Sequence, residues 1–401
     1  MHCTQKVFAD VTYLGASDRR LSLFESAYPV PNGMSYNSYL LDDDKITLFD
    51  TADKAVGDAF FENLAYALNG RMLDYLVITH MEPDHCALLG DLLRRCPSVT
   101  AVGTAKTRKL VEQFFGACPA FLAVGDGDVL CTGKHTLHFL TAPMVHWPEV
   151  LMVYDEADRA LYSADAFGTF GALNGNLFAD TLGEDGFDFA EARRYYTNIV
   201  GKYGVQVQGA LKKASAFPFA AICPLHGPIW RQDLDAILQK YRSWATWTAE
   251  TKGVVIAYAS VYGHTQNAAE VLASLLAERG VSGIQLFDVS VTHASYVLAE
   301  LFRYSHFVLA STTYNNGIFE SMDALLHSMQ AHNLQNRTAA VIENGSWSPQ
   351  SGKLMREALA QMKNMRVLDA GVTLLSALKD EQADAMVQLA DALASSILTE
   401  A

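Results

Sequence analysis

Four potential metal ligands crowd the stretch LVITHMEPDHCALLG at residues 76–90: His80, Glu82, Asp84 and His85. They follow directly on an apolar run of strand character, although each of these side chains prefers water. A set placed this way is a site and not a solvated face. Imidazoles and carboxylates with no thiolate among them suit hard to borderline ions such as iron, manganese or zinc.

Such a site needs partners from elsewhere in the chain. His146 follows the strand pattern HFLTAP in MVHWP, Asp165 follows RALYSAD, and His226 follows AAIC in PLHGP. Each closes an apolar run where a strand becomes a loop, which is where rigid scaffolds display reactive groups. Four histidines and three carboxylates exceed the needs of one ion. They match two ions, each keeping an open position, with Asp165 suited to bridge them. Taken singly, His146 and His226 would read as hydrogen-bonded histidines and Asp165 as a turn residue; the cluster at 80–85 outweighs that. His135 and His138, three apart on the strand pattern KHTLHF, should point to opposite faces and are left out.

A second constellation begins after the apolar strand GVVIAYAS. Ser260, Val261, Tyr262, Gly263, His264 and Thr265 open directly into the helical pattern TQNAAEVLASLLAERG. Backbone N–H groups at a helix start, with the Ser260 and Thr265 hydroxyls, can cradle a phosphate. The turn is neither a Walker loop nor G-x-G-x-x-G. It resembles the FMN-phosphate loop of flavodoxins, S/T-x-Y/T-G-x-T. Two more loops close later strands: STTYNNG, with Ser311, Thr312, Thr313, Tyr314, Asn315, Asn316 and Gly317, and ENGSWSP, with Gly345, Ser346 and Trp347. Small residues let amides approach the edge of a flavin ring, and an aromatic can cover its face. His264 is expected to be exposed and not catalytic.

The elements that must position these groups fall into two textures. Residues 253–401 alternate apolar strands with amphipathic helices, predicting a doubly wound parallel sheet with ligands beyond the strand C-termini. The first 250 residues are strand-rich with interspersed helices, predicting a layered sandwich flanked by helices. The polar stretch TWTAETK at 246–252 marks the seam, giving expected domains at 1–250 and 251–401. A chain of 401 residues, half of them hydrophobic, can build two cores. No run of eighteen apolar residues predicts a membrane span, and MHCTQKVFADVTYL lacks the pattern of a secretory leader. A cytoplasmic protein is expected. The formal charge of −14 argues against nucleic acid and anionic membrane surfaces. Cys3, Cys86, Cys96, Cys118, Cys131 and Cys223 form no C-x-x-C pair, which excludes a zinc ribbon or a rubredoxin-like iron site and leaves free thiols.

The order His80-x-Glu82-x-Asp84-His85, then His146, Asp165 and His226, resembles the metallo-β-lactamase motif with one change. Most hydrolases of that fold carry a histidine where this chain has Glu82. A carboxylate there, joined to a flavodoxin-like C-terminal half, resembles the flavodiiron proteins over nearly the whole chain. The resemblance implies a metallo-β-lactamase-like αββα sandwich followed by a flavodoxin-like doubly wound sheet, with FMN and a non-haem diiron centre. It implies His80, Glu82 and His146 on one iron, Asp84, His85 and His226 on the other, and Asp165 bridging; some members leave the histidine at the His85 position off the metal. It implies reduction of O2 to water or of NO to N2O; the ligand identities do not fix which gas is preferred, and oxygen reduction with NO reduction as a shared activity is the expectation. It further implies a head-to-tail homodimer or dimer of dimers that brings one subunit's FMN to its partner's irons. The chain carries no C-x-x-C module or NAD(P)H domain, so an external donor, usually rubredoxin, is expected. Zinc cannot change oxidation state, which favours iron. Tyr195 and Tyr196 in EARRYYTN are expected to pack, with a hydrogen bond to substrate as the alternative. Two competing readings remain: a binuclear zinc hydrolase fused to a flavodoxin-like module, which Glu82 argues against, and an electron carrier with a structural metal.

Overall fold

A computed structural model describes residues 1–116, 120–182 and 186–399; Cys118 lies outside them. The chain divides into two compact units, Met1–Ala245 and Thr246–Ala401.

The first unit is built on two sheets. One has seven strands, in the order Gln5–Lys6, Val11–Tyr13, Tyr39–Leu41, Thr47–Phe49, Tyr75–Val77, Thr100–Gly103, Phe121–Ala123. The other has five: Val129–Cys131, Thr136–Thr141, Leu151–Asp155, Ala160–Tyr162, Ala221–Cys223. Strand alternation sorts their side chains into two cores. Tyr39, Leu41, Phe49, Val77, Phe139, Leu151, Val153, Tyr162 and Cys223 form one buried cluster drawn from both sheets. Their sequence neighbours Leu40, Leu48, Leu76, Leu140, Met152, Leu161 and Ile222 belong to another, shared with helices such as Gly57–Leu68 and Leu234–Ala245. Strands buried on both faces read as continuous apolar runs, which is why LVIT, in the middle of its sheet, and AIC, at the end of its own, carry no polar alternation.

The second unit has one main sheet. Its parallel strands lie in the order Ile284–Asp288, Thr251–Ala259, Tyr304–Tyr314, Arg337–Asn344, Met365–Leu374. In chain order that is 2-1-3-4-5, the flavodoxin-like winding, whose direction reverses beside the first strand. Val254, Ile256, Val308 and Ala310 pack with helices His264–Glu278 and Ala383–Thr399. Val255, Ala257, Phe307 and Leu309 pack on the opposite face, with helices Ala294–Arg303 and Glu320–Ala331.

Among the described residues no helix is long and apolar enough to cross a membrane. Cys3, Cys86, Cys96, Cys131 and Cys223 are free thiols.

Candidate metal centre and flavin pocket

The strand Tyr75–Val77 runs into a loop that ends in the short helix Pro83–Cys86, with Glu82 at its N-cap and Pro83 in the first turn. Proline is pre-set for that position and loses no hydrogen bond there. The loop therefore turns sharply enough to put His80, Glu82, Asp84 and His85 around one point. The parallel neighbours Ala160–Tyr162 and Ala221–Cys223 end side by side, which places Asp165 beside His226. His146 comes from the connection between Thr136–Thr141 and Leu151–Asp155.

All seven side chains converge, in two groups. His146 Nε2 lies 3.0 Å from Glu82 Oε2 and 3.2 Å from Asp165 Oδ2. His80 Nε2 lies 3.4 Å and 3.5 Å from the same two oxygens. In the second group, His85 Nε2 and His226 Nε2 are each 3.2 Å from Asp84 Oδ2. The other Asp165 oxygen, Oδ1, is 3.3 Å from His85 Nε2 and 3.8 Å from His226 Nε2. Asp165 thus turns one oxygen to each group.

This donor set fits metal ions. His80 and His226 commit their Nδ1 atoms away from the cluster, to Glu149 Oε1 at 2.9 Å and to the Ser35 carbonyl at 2.6 Å. Their Nε2 lone pairs consequently face inward. Among the described residues His80 Nε2, both Asp84 oxygens and Asp165 Oδ1 are buried with no hydrogen-bond partner. Lone pairs packed this closely require cations between them, either metal ions or protons. Burial pushes Asp165 up, but His80, His146 and His85 outweigh it and hold the carboxyl far below its ordinary range. Burial works against protonation of His85 too, yet Asp84 and Asp165 raise it to about 10.

Three supporting residues escape a reading of the sequence. Asp50, at the end of the strand pattern KITLFD, accepts from Thr79 N at 2.8 Å and Thr79 Oγ1 at 2.6 Å, anchoring the ligand loop. Glu149 accepts from Met81 N at 2.8 Å as well as from His80. Glu25 sits on a turn with positive φ (51°) near Glu82. Desolvation and the Glu82 charge push its carboxyl up to about 8. The only signal for the first two was a carboxylate one strand-end away from a ligand.

His135 and His138 stay outside both groups. His135 immediately precedes the strand Thr136–Thr141 and is buried, with Nδ1 2.8 Å from Asp155 Oδ2 and Nε2 3.4 Å from Asp10 Oδ2. His138 is partly exposed beside Glu156. Tyr195 and Tyr196 are both fully buried, and neither hydroxyl has a hydrogen-bond partner among the described residues. Tyr195 packs 5.5 Å from the His226 ring and feels the charges of Asp165, Asp84 and Glu82. Tyr196 packs against Tyr241 and Trp244.

In the second unit a cavity of about 560 Å³ opens at the C-terminal ends of the parallel strands. Every residue singled out from the three loops lines it except Gly263, Ser311 and Gly317; Asn344, Ser348 and Ser376 line it in addition. Gly263 adopts φ 88° and donates its N–H to Ser260 Oγ, shaping the turn from behind the wall. Ser311 is buried in the sheet, where its carbonyl accepts from Ser351 Oγ. Asn315 and Asn316 take φ 50° and 59° in a two-residue turn between the pairs Thr313–Ile318 and Tyr314–Gly317. Asparagine tolerates that left-handed backbone well. His264 and Trp347 are exposed, Trp347 at 89%.

A family model described as "ODP family beta lactamase" matches residues 34–227. The rubredoxin-oxygen oxidoreductase of Megalodesulfovibrio gigas is 30% identical over 362 residues, 89% of either chain. A nitric oxide reductase of Moorella thermoacetica is 28% identical and aligns over 90% of this chain and 91% of its own. The crystal structure of the flavodiiron protein from Giardia intestinalis superposes with a TM-score of 0.92 at 25% identity, covering 98% of both chains. The fold is a β-lactamase-like sandwich joined to a flavodoxin-like sheet, and the chain belongs to the flavodiiron family. Flavodiiron proteins are oxidoreductases that carry FMN and a non-haem diiron centre, and the zinc-hydrolase alternative falls.

Proposed function

We propose that this flavodiiron oxidoreductase takes electrons from an external rubredoxin-type donor and reduces O2 to water, with reduction of NO to N2O as a shared activity. The observation that carries the reading is Asp165, whose two oxygens each face a different ligand group. That arrangement suits a carboxylate bridging two ions. When bound, FMN supplies one-electron relay and the paired irons a redox-active place for a small gas.

In this reading His80, Glu82 and His146 hold one ion, Asp84, His85 and His226 the other, and Asp165 both. Asp50 and Glu149 keep the ligand loop in place through Thr79 and Met81. The Tyr195 hydroxyl, buried and without a partner among the described residues, is placed to donate to a molecule held between the ions. Ser260 and Thr265 take the FMN phosphate at the start of the helix His264–Glu278. Asn315, Asn316 and Gly345 offer backbone groups to the ring edge, and Tyr314 and Trp347 its aromatic cover.

The reading includes a cytoplasmic protein and a head-to-tail homodimer. Tyr262, 90% exposed, and Trp347 form an unusually open aromatic rim at the flavin cavity. Such a rim suits transient contact with a donor or a second copy.

The test is anaerobic turnover of purified protein with reduced rubredoxin, NO and O2 being supplied separately, while iron, zinc and flavin are quantified on the same sample. Two irons and one FMN per chain, with donor oxidation by either gas, are expected. Stoichiometric zinc, no flavin and no turnover would overturn the reading.

A further inference from the structure

Glu149 is buried to 1% exposure, yet the only groups donating to its carboxylate among the described residues are His80 Nδ1 at 2.9 Å and Met81 N at 2.8 Å. Both bonds fall on Oε1, and Oε2 has no partner. A buried carboxylate held this way is costly unless it acts on what it touches. What it touches is the back of one ligand imidazole.

The imidazoles differ in this support. His80 has a carboxylate behind Nδ1, and His226 has the Ser35 carbonyl at 2.6 Å. Neither His85 nor His146 has a hydrogen bond at Nδ1 among the described residues. Each group thus holds one backed and one unbacked imidazole, and what separates the groups is a charged carboxylate behind His80 against a neutral carbonyl behind His226. A carboxylate on Nδ1 fixes the tautomer and ring orientation and makes Nε2 a more basic donor. A histidine lacking any such partner is oriented by the ion alone.

We infer that Glu149 is a positioning residue that makes the two metal positions unequal. The position of His80, Glu82 and His146 is the tight one, and the position of Asp84, His85 and His226 is the labile one. The inference rests on the diiron reading above.

The experiment measures iron release from reduced holoprotein to a chromogenic ferrous chelator under argon, with FMN content as the check on folding. The parent should release its irons in two phases, and His85→Ala should abolish only the fast one. Glu149→Ala should accelerate the slow phase about 10–100-fold and leave the fast phase unchanged. Glu149→Gln keeps an oxygen that accepts from both His80 Nδ1 and Met81 N but loses the charge, so its slow phase should fall between the two. This variant carries the test if Glu149→Ala does not fold.

A single phase in the parent, a slow phase unaltered in both Glu149 variants, or equal acceleration of both phases would overturn the inference alone. A parent that takes up no iron would overturn the diiron reading, and the inference with it.

Discussion

The Nε2 atoms of His85 and His226 face each other across 3.0 Å. His226 has given its Nδ1 to the Ser35 carbonyl, so its Nε2 is a bare lone pair that needs a metal ion or a donor facing it. Without metal that donor is the Nε2–H of His85. Against the opposing effect of burial, neighbouring carboxylates raise His85 to about 10 and His146 to about 9.

Loading metal at pH 7 should therefore expel protons, at least about two per chain from His85 and His146, with His80, also raised well above its ordinary value, adding to them. Apparent metal affinity should rise with pH until His85 and His146 titrate near 9–10 and then flatten. Addition of ferrous iron to apoprotein in weakly buffered solution, followed with a pH-indicating dye, checks it. No proton release at pH 7 would mean the cluster is already deprotonated and pre-set for metal.

The two sites should fail independently. Asp165→Ala or His226→Ala is expected to lose iron and cut reductase activity by more than about 100-fold, with FMN content nearly intact. Trp347→Ala should do the reverse: FMN binding weakened by roughly 2–10-fold, as expected for one lost aromatic contact, and iron unchanged. Equal loss of both cofactors in any of these variants would contradict separate sites.

Tyr195→Phe removes a single hydroxyl from beside the ligand cluster. Loss of one hydrogen bond to a bound molecule should lower kcat by about tenfold, with iron and FMN contents unchanged. If kcat stays at the parent value, Tyr195 serves packing alone, as Tyr196 does against Tyr241 and Trp244.

Asp43 gives a prediction far from the chemistry. It accepts from Thr132 Oγ1, Lys134 N and His135 N. Burial pushes its carboxyl up, but these bonds outweigh that and lower it from 3.8 to about 2. A depressed carboxylate contributes stability that is present above its unfolded pKa and lost as pH falls through the folded one. Because Asp43 lies near the surface, where water screens its charge, Asp43→Ala should cost about 0.5–1 kcal/mol at pH 7. The gap between variant and parent urea midpoints should close as pH drops from 4 towards 2.

The seven converging side chains were legible as a cluster because each interrupts or closes an apolar run, where a polar residue has no structural reason to be. The winding of the second unit was legible for a related reason: its strands are separated by long helices, and only a parallel sheet accommodates that order. Glu149 was not, since MVHWPE gives no hint that its sixth residue turns back under His80, sixty-nine positions earlier. Ser35 was hidden likewise, because a backbone carbonyl leaves no mark in a sequence. Ser311 looked like a loop residue but lies inside the strand Tyr304–Tyr314, which runs further than its apolar stretch suggests.

The origin of the ligands has a mechanical consequence. His80, Glu82, Asp84 and His85 follow a strand of the seven-stranded sheet, whereas His146, Asp165 and His226 follow strands of the five-stranded one. Metal ions held by both sets would rivet two independently hydrogen-bonded sheets at one edge of their shared core. Prying those sheets apart would then mean breaking coordination bonds as well as the bonds that already cross there, from His80 and Met81 to Glu149 and from Leu151 N to the Thr79 carbonyl. Stripping the metal would remove one of several fastenings at that edge.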